Sequence, residues 1–105
     1  MIARTRKEQL EEMLAESPSD PFLHYGLAME WISAKNDEAA IRAFAKLLEL
    51  DGNYVAAYMQ AGQALARCGR TDEARAMFRR GIEAAQRTGN DHALGEMQGF
   101  LQGLD

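Results

Sequence analysis

Cysteine occurs once, at Cys68, and proline twice, at Pro18 and Pro21. A lone thiol excludes an intramolecular disulfide and any cysteine-based zinc site. Residues 22–105 contain no proline to interrupt a helix. β-Branched residues are also scarce, with Val55, three threonines and four isoleucines in the whole chain. That scarcity argues against a sheet protein. No apolar run approaches the roughly 18 residues a membrane span needs, so no membrane partner is expected. Cationic excess is missing too: 12 Lys and Arg stand against 16 Asp and Glu, for a formal net charge of −4. The chain thus lacks the basic footprint of a nucleic-acid binder. Its amino terminus is charged from Arg4 onward, without the apolar stretch of a signal peptide, and a cytoplasmic setting is the expectation.

The 105 residues amount to one domain, and its punctuation predicts six helices. The first, from about Ala3 to Glu16, carries Leu10, Met13 and Leu14 on one stripe. Ser19 or Asp20 caps the second, which has Pro21 in its first turn and Leu23, Leu27, Ala28, Trp31 and Ile32 at helical spacing. A third, from Asp37 to Leu50, presents Ala40, Ile41, Phe44, Leu47 and Leu48. Asn53 is the expected cap of a fourth, Tyr54 to Cys68, which Gly69 ends. Thr71 opens a fifth that ends before Thr88-Gly89-Asn90, and a sixth spans Asp91 to Leu104.

Shifting the chain by 34 residues lays the second and third helices on the fourth and fifth. Identities are few (Ala40/Ala74, Phe44/Phe78 and Glu49/Glu83), but residue class repeats at fixed places. His24, Leu27, Ala28, Trp31, Ala40 and Phe44 correspond to Tyr58, Ala61, Gly62, Leu65, Ala74 and Phe78. In that spacing the chain resembles the tetratricopeptide repeat, a helix-turn-helix unit of about 34 residues. Departures are Ala61 for leucine, Leu65 for the aromatic residue, and Gly52 and Gln86 where proline usually closes a unit. The resemblance implies an all-α, α-α superhelix: a right-handed solenoid of antiparallel helix hairpins. Residues 1–18 would form a terminal half-unit, 20–53 and 54–87 two units, and 89–105 a closing helix. Leu94-Gly95 is taken as the leucine-small pair of that last helix. Small residues Ala28, Ala40, Gly62 and Ala74 would let paired helices approach, with Ala40 and Ala74 facing Ala28 and Gly62. Phe44 and Phe78 would wedge toward the neighbouring unit.

The same resemblance implies that the first helix of each unit lines a concave groove. Its floor would be Phe22, Tyr25, Met29 and Ile32 from one unit, and Ala56, Met59, Gln60, Gln63 and Arg67 from the next. Methionine-bearing apolar surface of this kind suits an amphipathic or hydrophobic segment of a protein or peptide partner. Tyr25 and Met29 have an equally good reading as packing residues. Chaperone-binding members of the family clamp a terminal carboxylate with Lys and Asn, which are missing here, so that clamp is not carried over.

Other chemistry-bearing residues read as structural. His24 and His92 are far apart and neither is read as half of a metal-type pair, so no metal and no cofactor are expected. Arg67 and Arg70 flank Cys68 and are placed to lower its pKa, but no orienting base accompanies it. Trp31 falls at the signature aromatic place and reads as core. Arginines 67, 70, 75, 79, 80 and 87 alternate with acids and form a solvated face, with an Arg79–Glu83 pair expected. Gly95, Gly99 and Gly103 weaken the last helix, through fraying, a ridge against Gly81 of the fifth helix, or a homodimer seam. With no phosphate loop, nucleophile elbow or ligand cluster, the chain is not read as an enzyme. The expectation is a non-catalytic protein-interaction module; the alternative is a self-associating assembly module.

Overall fold

Four of the six helices start where a side-chain cap satisfies free backbone donors. The computed structural model describes residues 3–105, so Met1 and Ile2 of the expected half-unit lie outside the described residues. Helix α1 (Arg6–Glu16) begins later than expected because Thr5 forms a capping box with Glu8. The Thr5 hydroxyl accepts from the Glu8 amide at 3.1 Å, and Glu8 accepts from the Thr5 amide at 3.3 Å. Of the two candidates for α2 (Pro21–Ser33), Asp20 is the cap. Asn36 caps α3 (Asp37–Leu50), and Asn90 caps α6 (Asp91–Gly103).

The expected Asn53 cap of α4 (Val55–Arg67) is not formed. Tyr54 holds the cap position without a side-chain bond. The Asn53 side chain is spent elsewhere, accepting from Arg87 Nε at 3.1 Å. Arg87 lies in α5 (Thr71–Thr88) and also donates to the Gly52 carbonyl at 3.2 Å, which the Tyr58 hydroxyl reaches at 2.7 Å. The loop that lacks the usual proline is therefore held by two side-chain donors. Gly89, with φ 70°, ends α5 in the left-handed conformation.

The repeat closes at the level of the backbone. Lys35 (φ 58°) and Gly69 (φ 75°), 34 residues apart, take the same left-handed conformation inside the two hairpins. Asn36 N donates to Trp31 O, and Arg70 N to Leu65 O, each at 2.9 Å. Glycine accommodates this backbone freely, whereas lysine is held there at a cost of about 1 kcal/mol. The α2–α3 and α4–α5 hairpins thus turn by one geometry despite sharing three residues.

Successive helices pack in chain order, and α4 also touches α6. The result is an elongated array of 50 × 28 × 20 Å. Ala28, Ala40 and Ala74 are wholly buried, as is the Gly62 backbone. A Cβ on Gly62 would lie 2.5 Å from the Phe78 ring, so Phe78 rather than Ala74 is its close neighbour. Phe78 reaches the next element as expected, stacking on Phe100 of α6 at 5.6 Å between centroids. Phe44 is fully buried and has Tyr25 of its own hairpin 6.0 Å away. Between hairpins, the Arg67 fork donates to both Asp37 oxygens at 3.1 and 3.0 Å, and Arg70 bridges Glu38 and Glu73. The expected Arg79–Glu83 ion pair is not formed among the described contacts; both side chains are exposed, where such a pair offers only a few tenths of a kcal/mol.

Candidate functional site

Helices α2 and α4 open the two hairpins, α6 follows in the next equivalent place, and their caps set a common register. Asp20, Tyr54 and Asn90 occupy equivalent cap positions. Tyr25, Met59 and Gly95 follow five residues after those caps; Met29, Gln63 and Gly99 follow nine; Arg67 and Gly103 follow thirteen on α4 and α6. The stride from Tyr54 to Asn90 is 36 residues, because α5 has 18 residues where α3 has 14 and only Gly89 separates it from the next cap, where Asp51–Asn53 follow α3. This corrects the reading of Leu94-Gly95 as the leucine-small pair. Met97, wholly buried, fills the leucine place instead, with exposed Gln98 after it.

The structure gathers eight of the nine expected groove residues into three groups and sets Ala56 apart. Phe22 stands apart: it is 68% exposed and lies with Gln9, Leu10 and Met13 of α1 around a small hollow. Tyr25, Met29, Ile32 and Met59 are partly buried and pack against the core while keeping one side outward. The Tyr25 ring lies 5.2 Å from that of Tyr54. Burial raises the pKa of both tyrosines, and the Gln60 side chain partly offsets the rise at Tyr25. Ala56 turns toward a shallow depression beside Thr88 and Asn90.

Gln63 and Arg67 form the third group, at a pocket between α4 and α6 of about 370 Å³. Ala66, Phe78, Phe100 and Leu104 supply its apolar lining, and Gly99 and Gly103 its open side. None of those six was singled out as a groove residue. The signal was present in the sequence: α5 runs unbroken to Thr88, and counting from Asn90 puts the glycines on the same line as Gln63 and Arg67. These glycines do not interrupt the helix, which continues to Gly103. Nor do they meet Gly81, whose missing side chain makes room for Met97 and Tyr58. A Cβ on Gly95, Gly99 or Gly103 would find nothing within 4 Å.

Among the described residues, Arg67 is the only charged one lining the pocket. Its pair with Asp37 uses Nε and Nη2. The guanidinium lowers the pKa of Asp37, mainly through that hydrogen bond, against a smaller opposing effect of desolvation. Cys68, next along the chain, departs from expectation. Its thiol pKa is raised, first by desolvation and then by Glu38, with Arg70 only partly opposing. His24 is buried, with Nε2 2.7 Å from the Pro18 carbonyl, so it ties α2 to the preceding loop. His92 does sit four residues before a carboxylate, at 2.7 Å from Glu96, contrary to the sequence reading. Even so, no group of three metal-ligating side chains forms among the described residues. Trp31 packs against the core with the Lys7 ammonium 4.5 Å from its ring centre.

Comparison with known proteins agrees with this geometry. The tetratricopeptide-repeat family model matches residues 32–94, more than half of the chain. The chain belongs to the tetratricopeptide-repeat family. A TPR repeat-containing protein of Pseudomonas aeruginosa is 32% identical over 98 residues, 93% of each chain. A tetratricopeptide-repeat domain protein from Salinibacter ruber, solved in solution, superposes with a TM-score of 0.78 at 35% identity, covering 84% of this chain and 89% of that one. A solution structure of a Bordetella parapertussis protein reaches a TM-score of 0.84 at 28% identity, over 97% and 89%. Tetratricopeptide repeats generally mediate protein–protein interaction and are not generally catalytic. Among the described residues, no helix is long and apolar enough to cross a membrane.

Proposed function

We propose that this protein is a non-catalytic cytoplasmic interaction module, built as a half-unit, two units and a closing helix, that binds a peptide segment or protein surface along a concave face of α2, α4 and α6. One observation carries the reading. Tyr25, Met29, Met59, Gln63 and Arg67 share a register on successive helices, and that register leads into the pocket between α4 and α6. The surface is mostly uncharged in a chain of net charge −4. Burial of a guest's apolar side chains there costs little desolvation. Phe22 belongs to the α1 side of this surface rather than to its centre.

Met29→Glu and Met59→Glu test the reading. Each places a carboxylate on the face while the far-ultraviolet circular dichroism stays helical. Loss of binding by about tenfold or more is expected in a capture assay against wild type, since an unpaired carboxylate buried at an interface costs over 1 kcal/mol. Undiminished capture by both variants would refute the groove.

Self-association is the second reading, favoured by one observation. Met13 and Phe22 are 51% and 68% exposed on the same terminal flank. Sedimentation from micromolar to millimolar concentration decides it, and a constant monomer mass removes it.

A further inference from the structure

Building on that reading, we infer that the pocket between α4 and α6 is the anchor point of the groove and takes a bulky apolar side chain with a carboxylate beside it, a hydrophobic-acidic element of a partner protein. The pocket holds about 370 Å³, at the small end of ligand sites, with room for one large side chain and a short stretch of backbone. Its lining is apolar where it is deepest: Phe78 is 1% exposed and stacks on Phe100. An aromatic or long aliphatic side chain is what such a surface rewards. Side chains at 99 and 103 would occupy the mouth. Glycine there leaves space for the guest's own backbone.

Charge selects among apolar guests. One cation and no carboxylate line the pocket. The cation, Arg67, is 45% exposed and spends two of its three nitrogens on Asp37. Among the described residues Nη1 has no hydrogen-bond acceptor. A carboxylate next to the anchor gives Nη1 its acceptor, whereas a lysine there finds no carboxylate in the lining, the nearest one, Asp37, being already held by Arg67. The pairing is complementary in sign and geometry. His92 and Glu96 lie on the outward side of α6, pair with each other and do not line the pocket.

Four short probes test the assignment: N-acetyl-Phe-Glu-amide, N-acetyl-Phe-Gln-amide, N-acetyl-Phe-Lys-amide and N-acetyl-Ala-Glu-amide. Each is titrated into the full chain while amide signals of Gly99 and Gly103 are followed by nuclear magnetic resonance. Phe-Glu is expected to shift these signals saturably, and to bind about two- to fivefold tighter than Phe-Gln, the range of an exposed ion pair. Phe-Lys should be weaker than Phe-Gln, and Ala-Glu should produce no saturable shift. Gly99→Leu fills the mouth and should abolish the response to every probe. Asp37→Asn frees the whole Arg67 fork without removing it and should tighten Phe-Glu alone. Equal binding of Phe-Glu and Phe-Lys, a response to Ala-Glu, or an unchanged response in Gly99→Leu would each overturn the proposal. So would shifts that appear on concentrating the protein alone, which would put a second copy in the pocket. If Gly99→Leu keeps partner binding while Met29→Glu loses it, the anchor is wrong and the groove stands.

Discussion

Two sets of glycines lie in this chain, and they answer to different neighbours. Gly62 and Gly81 are buried, and their missing side chains are already replaced by other residues of the same molecule. Phe78 occupies the space at Gly62, and Tyr58 Cβ comes within 2.6 Å of a Cβ built on Gly81. Gly95, Gly99 and Gly103 line one side of α6, and a Cβ built on any of them would find nothing within 4 Å. Close packing demands the first set. Intramolecular packing places no such demand on the second, although each interior glycine weakens a helix by roughly 1 kcal/mol relative to alanine. The same residue type is thus structural between α4 and α5 and available to a guest on α6.

The contrast is sharpest at Gly62. Gly62→Ala should destabilise the fold by about 1–3 kcal/mol in chemical denaturation, because the new methyl meets the Phe78 ring. Pairing it with Phe78→Leu should cost less than the sum of the two single changes, since they share one contact. Additive costs would mean that crowding by Phe78 is not what selects glycine there. Gly99→Ala moves in the other direction and should stabilise by about 0.5–1 kcal/mol, read as a higher melting temperature. A loss of stability would break the distinction between the two sets.

A smaller effect separates the ionic ties from the apolar core. Arg67 lowers the folded-state pKa of Asp37 below its ordinary value. That contribution is therefore fully present above the ordinary carboxylate range and is lost as pH falls through the lowered pKa. Asp37 and Arg67 are both partly exposed, so the loss should be under about 1 kcal/mol. Asp37→Asn should flatten this part of the acid limb in a series of denaturation curves. An unchanged limb would show the tie to be energetically silent.

The fold was legible because its determinants are local or periodic. Asp20, Asn36 and Asn90 lie next to the helices they cap, and the 34-residue correspondence puts small and aromatic residues where hairpins cross. Asn53 misled for the converse reason. Its side chain serves Arg87, 34 residues away, and no local pattern announces that bond. The pairing of Arg67 with Asp37 is hidden in the same way. The groove was legible as far as the repeat held its stride. Beyond α5 the register changes, and the pocket lining at Phe100, Gly103 and Leu104 depended on a count restarted from Asn90. Exposure also followed neighbours rather than periodicity: Phe22 and Tyr25 sit one turn apart on α2, yet one stands out beside α1 and the other is tucked against Tyr54.

The placement of Trp31 makes the molecule its own optical gauge. It is the chain's one tryptophan, and the ammonium resting over it comes from α1. Its emission will therefore change when the leading helix lifts away, and will stay quiet while the far end between α4 and α6 fills and empties.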